Sequence, residues 1–262
     1  MKRVTKSVYN SALKDIIKIL RAKPELLDDC RFVALLGSVR EGEHILAYSD
    51  LDILFILKSN SSGSLNPKIL LALQKICGVL SKKYPIKISF LTHTEKEFKE
   101  YVDYEYLVHY SWGKVLFGDG KLYSGFFQRH LHLKKPVKRE LLRQMYNAIL
   151  HARFNLIRRY VSLNIFNTKR YKRELLKLFI DNLIEIADWR LIAEGIWSTS
   201  KRQIMKEIEK TSKSSSRYIL YKAYKYRKNW NNKLAIRSVD DEFFVRSIDF
   251  INDCVVELED RL

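Results

Sequence analysis

The sequence predicts an α+β protein in two parts, an N-terminal α/β domain on a small mixed sheet and an all-α helical bundle behind it. Two short apolar runs, 32–36 and 51–57, lie between stretches whose apolar residues recur at helical spacing. After Pro136 the spacing is helical throughout. Hydrophobic residues make up 47% of the 262, with 15 Tyr, 13 Phe and 4 Trp, enough to fill two cores. The expected domains are 1–128 and 129–262.

Val8, Leu13, Ile16, Ile17, Ile19 and Leu20 define a first helix over 7–22, bounded by Pro24. Phe32–Leu36 and Leu51–Leu57 read as buried strands, and 59–64 as a polar loop. Asn66-Pro67 opens a helix that runs to about Lys83, with Pro in the first turn, where its missing N–H costs nothing. A third strand, Ile86–Leu91, puts Ile86, Ile88 and Phe90 on one side and Lys87, Ser89 and Leu91 on the other. Thr94 and Glu97 form a capping box for a helix over 95–110. Residues 114–118 make a last strand before a Gly-Asp-Gly turn. Helices alternating with buried strands give an α/β unit. In the second half the helices are expected at 137–163, 169–195, 200–211, 215–229 and 240–261, with breaks at 164–167, 195, 212–216 and 229–232.

The net charge is +18. Residues 1–130 carry 20 Lys and Arg against 14 Asp and Glu, hence +6, and residues 131–262 carry 28 against 16, hence +12. This balance favours polyanionic partners or substrates, or it is a surface that serves solubility. Three cysteines without a Cys-x-x-Cys exclude a disulfide framework and a zinc site and suggest a reduced, cytoplasmic protein. No apolar run is long enough to span a bilayer, and the first residues lack a signal-peptide pattern.

Chemistry concentrates in 32–57. The first apolar run ends in Gly37-Ser38, and after eleven intervening residues Asp50-Leu51-Asp52 opens the second. Period two puts both carboxylates on one side. Such a pair becomes favourable when it holds a divalent cation through oxygen ligands. A Gly-Ser turn lets backbone N–H groups approach a phosphate, because Gly has no side chain in the way.

Strand, Gly37-Ser38, this gap, Asp50-Leu51-Asp52 and strand together resemble the signature of the nucleotidyltransferase superfamily that includes polymerase β-type enzymes. Gly-Ser-Val-Arg-Glu-Gly followed by Ser-Asp-Leu-Asp is most similar to the minimal and aminoglycoside-type members. Gly113–Gly118 resembles the Gly-x-x-Leu-Tyr-Gly close of such domains, and a helical C-terminal part matches the aminoglycoside-type architecture. The resemblance implies that Gly37, Ser38 and Arg40 bind the nucleoside triphosphate and that Asp50 and Asp52 bind Mg²⁺ and are catalytic. It also implies transfer of a nucleoside monophosphate from ATP or another triphosphate to a hydroxyl, with release of pyrophosphate. The competing expectation is a degenerate member that binds nucleotide or RNA without turnover.

Members of this family usually carry a third carboxylate on a later strand facing the first two. Here that strand offers Lys87 or Ser89. The missing acid comes from elsewhere, with Glu95, Asp103 and Glu105 nearest; or a base comes from the bundle; or transfer is lost. In the bundle, Asp181, Glu185 and Asp188 share one helix face. They either pair with neighbouring Lys and Arg or face a cleft, where Glu185 would be the base.

Residues 201–233 hold eleven Lys and Arg against two acids. Between 217 and 230 they alternate with Tyr218, Tyr221, Tyr224, Tyr226 and Trp230. Cations beside stacking rings suit a nucleic-acid acceptor. The other explanation is a bundle helix whose core face carries Tyr218, Tyr221 and Tyr224, with a solvated basic face opposite. The acceptor is thus a small molecule, a protein side chain or an RNA end. His130 and His132 have no acid or Cys at metal spacing beside them.

Overall fold

The computed structural model of the protein describes residues 5–46, 48–58, 66–162, 168–211, 214–230 and 239–262, with backbone alone for 214–216. The expected loop at 59–64 and the breaks at 164–167, 212–213 and 231–232 lie outside the described residues. The chain divides into two compact units, Met1–Lys135 and Pro136–Leu262.

The first unit runs α1 (Lys6–Arg21), α2 (Pro24–Asp28), β1 (Cys30–Leu36), α3 (Gly37–Arg40), β2 (Leu51–Leu57), α4 (Pro67–Lys83), β3 (Ile88–Thr94), α5 (Glu95–Glu100), α6 (Tyr104–Ser111), β4 (Lys114–Phe117) and α7 (Gly120–Lys134). The sheet order is β3-β2-β1-β4. β1 is antiparallel to β2 and β4, while β2 and β3 are parallel. The sheet is therefore the small mixed one expected.

Both faces of this sheet are covered, so β2 beyond Asp52 reads as an unbroken apolar run, Ile53–Leu57. Val33, Leu35, Leu51, Ile53 and Phe55 pack against Ile16 and Leu20 of α1 and Leu73 and Ile76 of α4. Ala34, Leu36, Leu54 and Ile56 pack on the other face against Phe98, Leu107, Tyr123 and Phe127 of α5, α6 and α7. Asp52 has the parity of Leu54 and Ile56, so it belongs to this second face, at the β2 entrance.

Expectations change at three places in this unit, the helices α5 and α6, the start of α7 and the ends of β3. The helix over 95–110 is two, because the chain turns at Tyr101–Asp103, where the Val102 carbonyl accepts from Lys134 Nζ at 2.7 Å. The capping box that starts α5 is present in full. The Gly-Asp-Gly turn is the start of α7, since Asp119 caps the N–H groups of Lys121 and Leu122. A boundary at 128/129 falls inside that helix. β3 begins at Ile88, past Pro85, and runs on to Thr94.

The second unit is α8 (Lys138–Val161), α9 (Lys169–Ala193), α10 (Lys201–Thr211), α11 (Ser214–Lys228) and α12 (Asp241–Glu259). α9 is its centre and buries Phe179, Ile180, Leu183, Ile184 and Ala187 among the other four helices. Buried Arg190 ties α9 to α12 through Glu257 Oε2 at 2.6 Å. On α11 the buried face is Ile219, Leu220, Ala223 and Arg227, whereas Tyr218 and Tyr221 are exposed. This corrects the core face expected for that helix. No described helix is long and apolar enough to cross a membrane.

Candidate active site

β1 and β2 converge on the site. In their antiparallel register Leu36 faces Asp52, so Gly37 leaves the sheet beside that carboxylate. Gly37 has φ +65°, in the left-handed region that favours glycine, and starts the single turn of α3. A Cβ added there would stand 3.1 Å from Asp52 Oδ2. The absent side chain thus keeps the approach to Asp52 open. Ser38 is half-buried and Arg40, at the end of the turn, is exposed. The field of Arg40 reaches Tyr123, whose hydroxyl burial pushes well above the usual phenol range.

The loop back to β2 is pinned. Ser49 is buried, its Oγ accepts from Ile45 N at 2.9 Å, and its carbonyl accepts from Tyr9 Oη at 2.8 Å. Tyr9 is fully buried in the core of the first unit, so α1 fixes the residue that precedes Asp50. Sequence reasoning assigned no role to Tyr9 or Ser49; a Tyr on the buried face of a helix carries no sign that its hydroxyl holds a loop 40 residues away.

β3 supplies the third side. Asp52 is in register with Ser89. Just before the strand, the Lys87 carbonyl accepts from Leu51 N at 2.9 Å, and Lys87 Nζ donates to Asp50 Oδ2 at 2.6 Å. The side chain of Lys87 is 70% exposed and that of Asp50 20%. The positions that face the acid pair from β3 thus hold a hydroxyl and an ammonium, the two residues expected from the sequence.

Asp50 and Asp52 are the two carboxylates at this corner that could hold a divalent cation. Mg²⁺ is commonly held by one or two carboxylates, with substrate phosphates and waters completing the shell. Among the described residues no three His, Cys, Asp or Glu side chains converge to hold an ion. The two acids with the open Gly37 corner suit an ion that arrives with a phosphate.

On the same face of the sheet lies a cavity of about 390 Å³ lined by His93, Glu97, Tyr101, Val102, Asp103, Tyr106 and Tyr110. Burial, then Tyr106, then Asp52 push the Tyr110 hydroxyl up to about 12. It stays protonated, a donor at neutral pH. Burial also holds His93 below its usual value, against the opposing pull of Glu97. Of the acids named as replacements, Asp103 lines this cavity, Glu95 pairs with Arg31, and Glu105 lies 3.9 Å from His109.

Glu185 belongs to the helical unit. The three acids of its stripe differ: Asp181 is half-buried and lies 3.6 Å from Lys201, Glu185 is exposed, and Asp188 is buried. Desolvation by the surrounding protein pushes the Glu185 carboxyl up, Lys201 opposes this and Asp181 adds to it. Because the side chain itself is accessible, this is an effect of surrounding protein mass and not of enclosure.

A mixed sheet with a glycine corner against an acid pair defines a domain suited to phosphate and metal chemistry. Residues 13–109 match the family model described as nucleotidyltransferase domain, and this match supports the nucleotidyltransferase superfamily for this part of the chain. The match spans α1 to α6 and contains Gly37, Ser38, Asp50, Asp52 and Lys87. No curated protein matches the chain significantly.

Proposed function

We propose that the protein is an Mg²⁺-dependent nucleotidyltransferase that moves a nucleoside monophosphate from ATP or another nucleoside triphosphate to a hydroxyl acceptor. The observation that carries this reading is the Gly37 corner, where any side chain would stand 3.1 Å from Asp52 Oδ2 beside the turn that would meet the phosphates. Gly37 and Ser38 bind the triphosphate through backbone N–H groups left without helical partners in the first turn, and Arg40 adds positive charge. Asp50 and Asp52 hold the ion. Bound Mg²⁺ would neutralise phosphate oxygens and orient the α-phosphorus.

In the reaction the acceptor oxygen forms a bond to the α-phosphorus, and the bond from that phosphorus to its bridging oxygen breaks. Pyrophosphate leaves with the bonding pair, and the acceptor proton passes to a base. The sequence offers Glu185, in the middle of its acidic stripe, as that base. The acceptor is proposed to enter the cavity of Tyr106 and Tyr110, on the face of the sheet that carries Asp52. A small molecule or an RNA end would fit the chemistry. Steep salt dependence of acceptor binding, lessened by charge reversal at Lys222 and Lys225, would mark the nucleic acid.

Pyrophosphate release from ATP with candidate acceptors tests the proposal. It is expected to need Mg²⁺ and to fall at least about 10²-fold in Asp50→Ala and Asp52→Ala. ATP binding that survives these changes, with no release from the wild type, would identify a binding module.

A further inference from the structure

Resting on the transferase reading above, we infer that Lys87 is a built-in cation of this site, taking the charge-neutralising place of a second divalent ion, so that the protein works with one Mg²⁺ per bound nucleotide. The place of Lys87 is fixed by backbone and side chain together. Parallel pairing sets Ser89 against Asp52, and the Leu51 N–H bond to the Lys87 carbonyl sets Lys87 beside Asp50. From there its Nζ reaches Asp50 Oδ2 at 2.6 Å. The ammonium thus occupies an oxygen of one of the two carboxylates that would hold an ion.

Ligand supply points the same way. Two carboxylates and a triphosphate can complete the shell of one Mg²⁺. A second ion would have to share these two carboxylates, because no described His, Cys, Asp or Glu joins the pair as a third member. Charge points there too. Asp50 and Asp52 carry two negative charges and a triphosphate brings several more, so an extra cation at this point stabilises the loaded site. Lys87 provides it permanently, on a flexible four-carbon stem whose side chain is 70% exposed. An exposed ion pair is held weakly, so the ammonium can leave Asp50 when an ion binds there and can meet a phosphate oxygen instead. In that role Lys87 touches the substrate and is catalytic.

Manganese stoichiometry tests this on the full chain. Mn²⁺ is titrated by electron paramagnetic resonance against the protein with saturating α,β-methylene-ATP, with the nucleotide's own binding subtracted. The wild type is expected to hold one Mn²⁺ per chain, Lys87→Ala one, and Lys87→Asp two, because the new carboxylate completes a second site. In turnover, Lys87→Ala is expected to lose about 10²-fold in kcat, Lys87→Arg to recover part of it, and extra Mg²⁺ to leave Lys87→Ala unrescued. Two Mn²⁺ in the wild type would overturn the inference and leave the transferase reading standing. So would a nucleotide-bound wild type with no Mn²⁺ that gains one in Lys87→Ala, since the lysine would then be a latch that excludes metal. A chain that binds no nucleotide would overturn both. Lys87 is exposed and its substitutions leave the core intact, and circular dichroism checks that each variant is folded.

Discussion

Gly37 and Asp52 are neighbours across the first turn after β1, and a single Cβ on Gly37 would stand 3.1 Å from Asp52 Oδ2. Gly37→Ala therefore does two things. It places an L side chain at φ +65°, which costs roughly 1–2 kcal/mol of folding stability. It also intrudes on the carboxylate proposed to hold the ion. A melting point lower by a few degrees is expected, together with a loss of Mg²⁺-dependent nucleotide binding larger than the stability loss explains. Calorimetry on the folded variant reads both.

The cavity lined by Tyr106 and Tyr110 gives a separate test of where the acceptor goes. Tyr106 is 50% exposed, so its removal leaves the core intact. Tyr106→Ala is expected to raise KM for the acceptor about tenfold while KM for ATP stays within about twofold, the size expected from one lost stacking contact. A rise in KM for ATP alone would move the acceptor elsewhere.

His93 sets a pH dependence of stability. Burial lowers its folded pKa from the usual 6.5, so the fold favours the neutral ring. A depressed folded pKa means that stability is fully present above the unfolded value and falls as pH drops from 6.5 towards and through the folded value. Denaturant midpoints are expected to be flat from pH 8 to 7 and to decline below 6.5. His93→Phe, which can keep the edge contact with Phe98 at 5.3 Å between ring centroids, is expected to flatten the decline. An unchanged slope in the variant would assign the dependence to other groups.

On α11 the structure separates core from surface. Leu220 is fully buried, and Tyr221 one residue on is 41% exposed. Leu220→Ala is expected to cost about 2–5 kcal/mol in chemical denaturation and Tyr221→Ser no more than about 0.5 kcal/mol. The reverse order would restore the tyrosines to the core.

Much of the architecture is legible in the residues themselves. Strands β1 and β2 are short apolar runs buried on both faces, and the Thr94–Glu97 capping box and the Asn66-Pro67 start leave local marks that survive folding. The parity of Ile86–Leu91 is right although the strand begins at Ile88, because alternation depends on the face and not on the ends. What escapes depends on tertiary contacts. The break at Tyr101–Asp103 and the helix from Gly120 follow from a lysine–carbonyl bond and an Asp cap that sequence spacing does not reveal. On α11, tyrosines and aliphatic residues both recur at helical spacing, so periodicity alone cannot choose the buried face. At the site, Gly37, Asp50, Asp52 and Lys87 are marked by order and spacing, whereas Tyr9 and Tyr110 reach it only through the fold.

The fate of labelled ATP tests the central claim most directly. The full chain is incubated with Mg²⁺ and a panel of small-molecule and RNA hydroxyl acceptors, once with label at the α-phosphate and once at the γ-phosphate. Nucleotidyl transfer by Asp50 and Asp52 predicts α label on the acceptor, γ label in pyrophosphate, and loss of both in Asp52→Asn. Label from the γ-phosphate on the acceptor, or bound nucleotide from which no label moves to any acceptor, would contradict it.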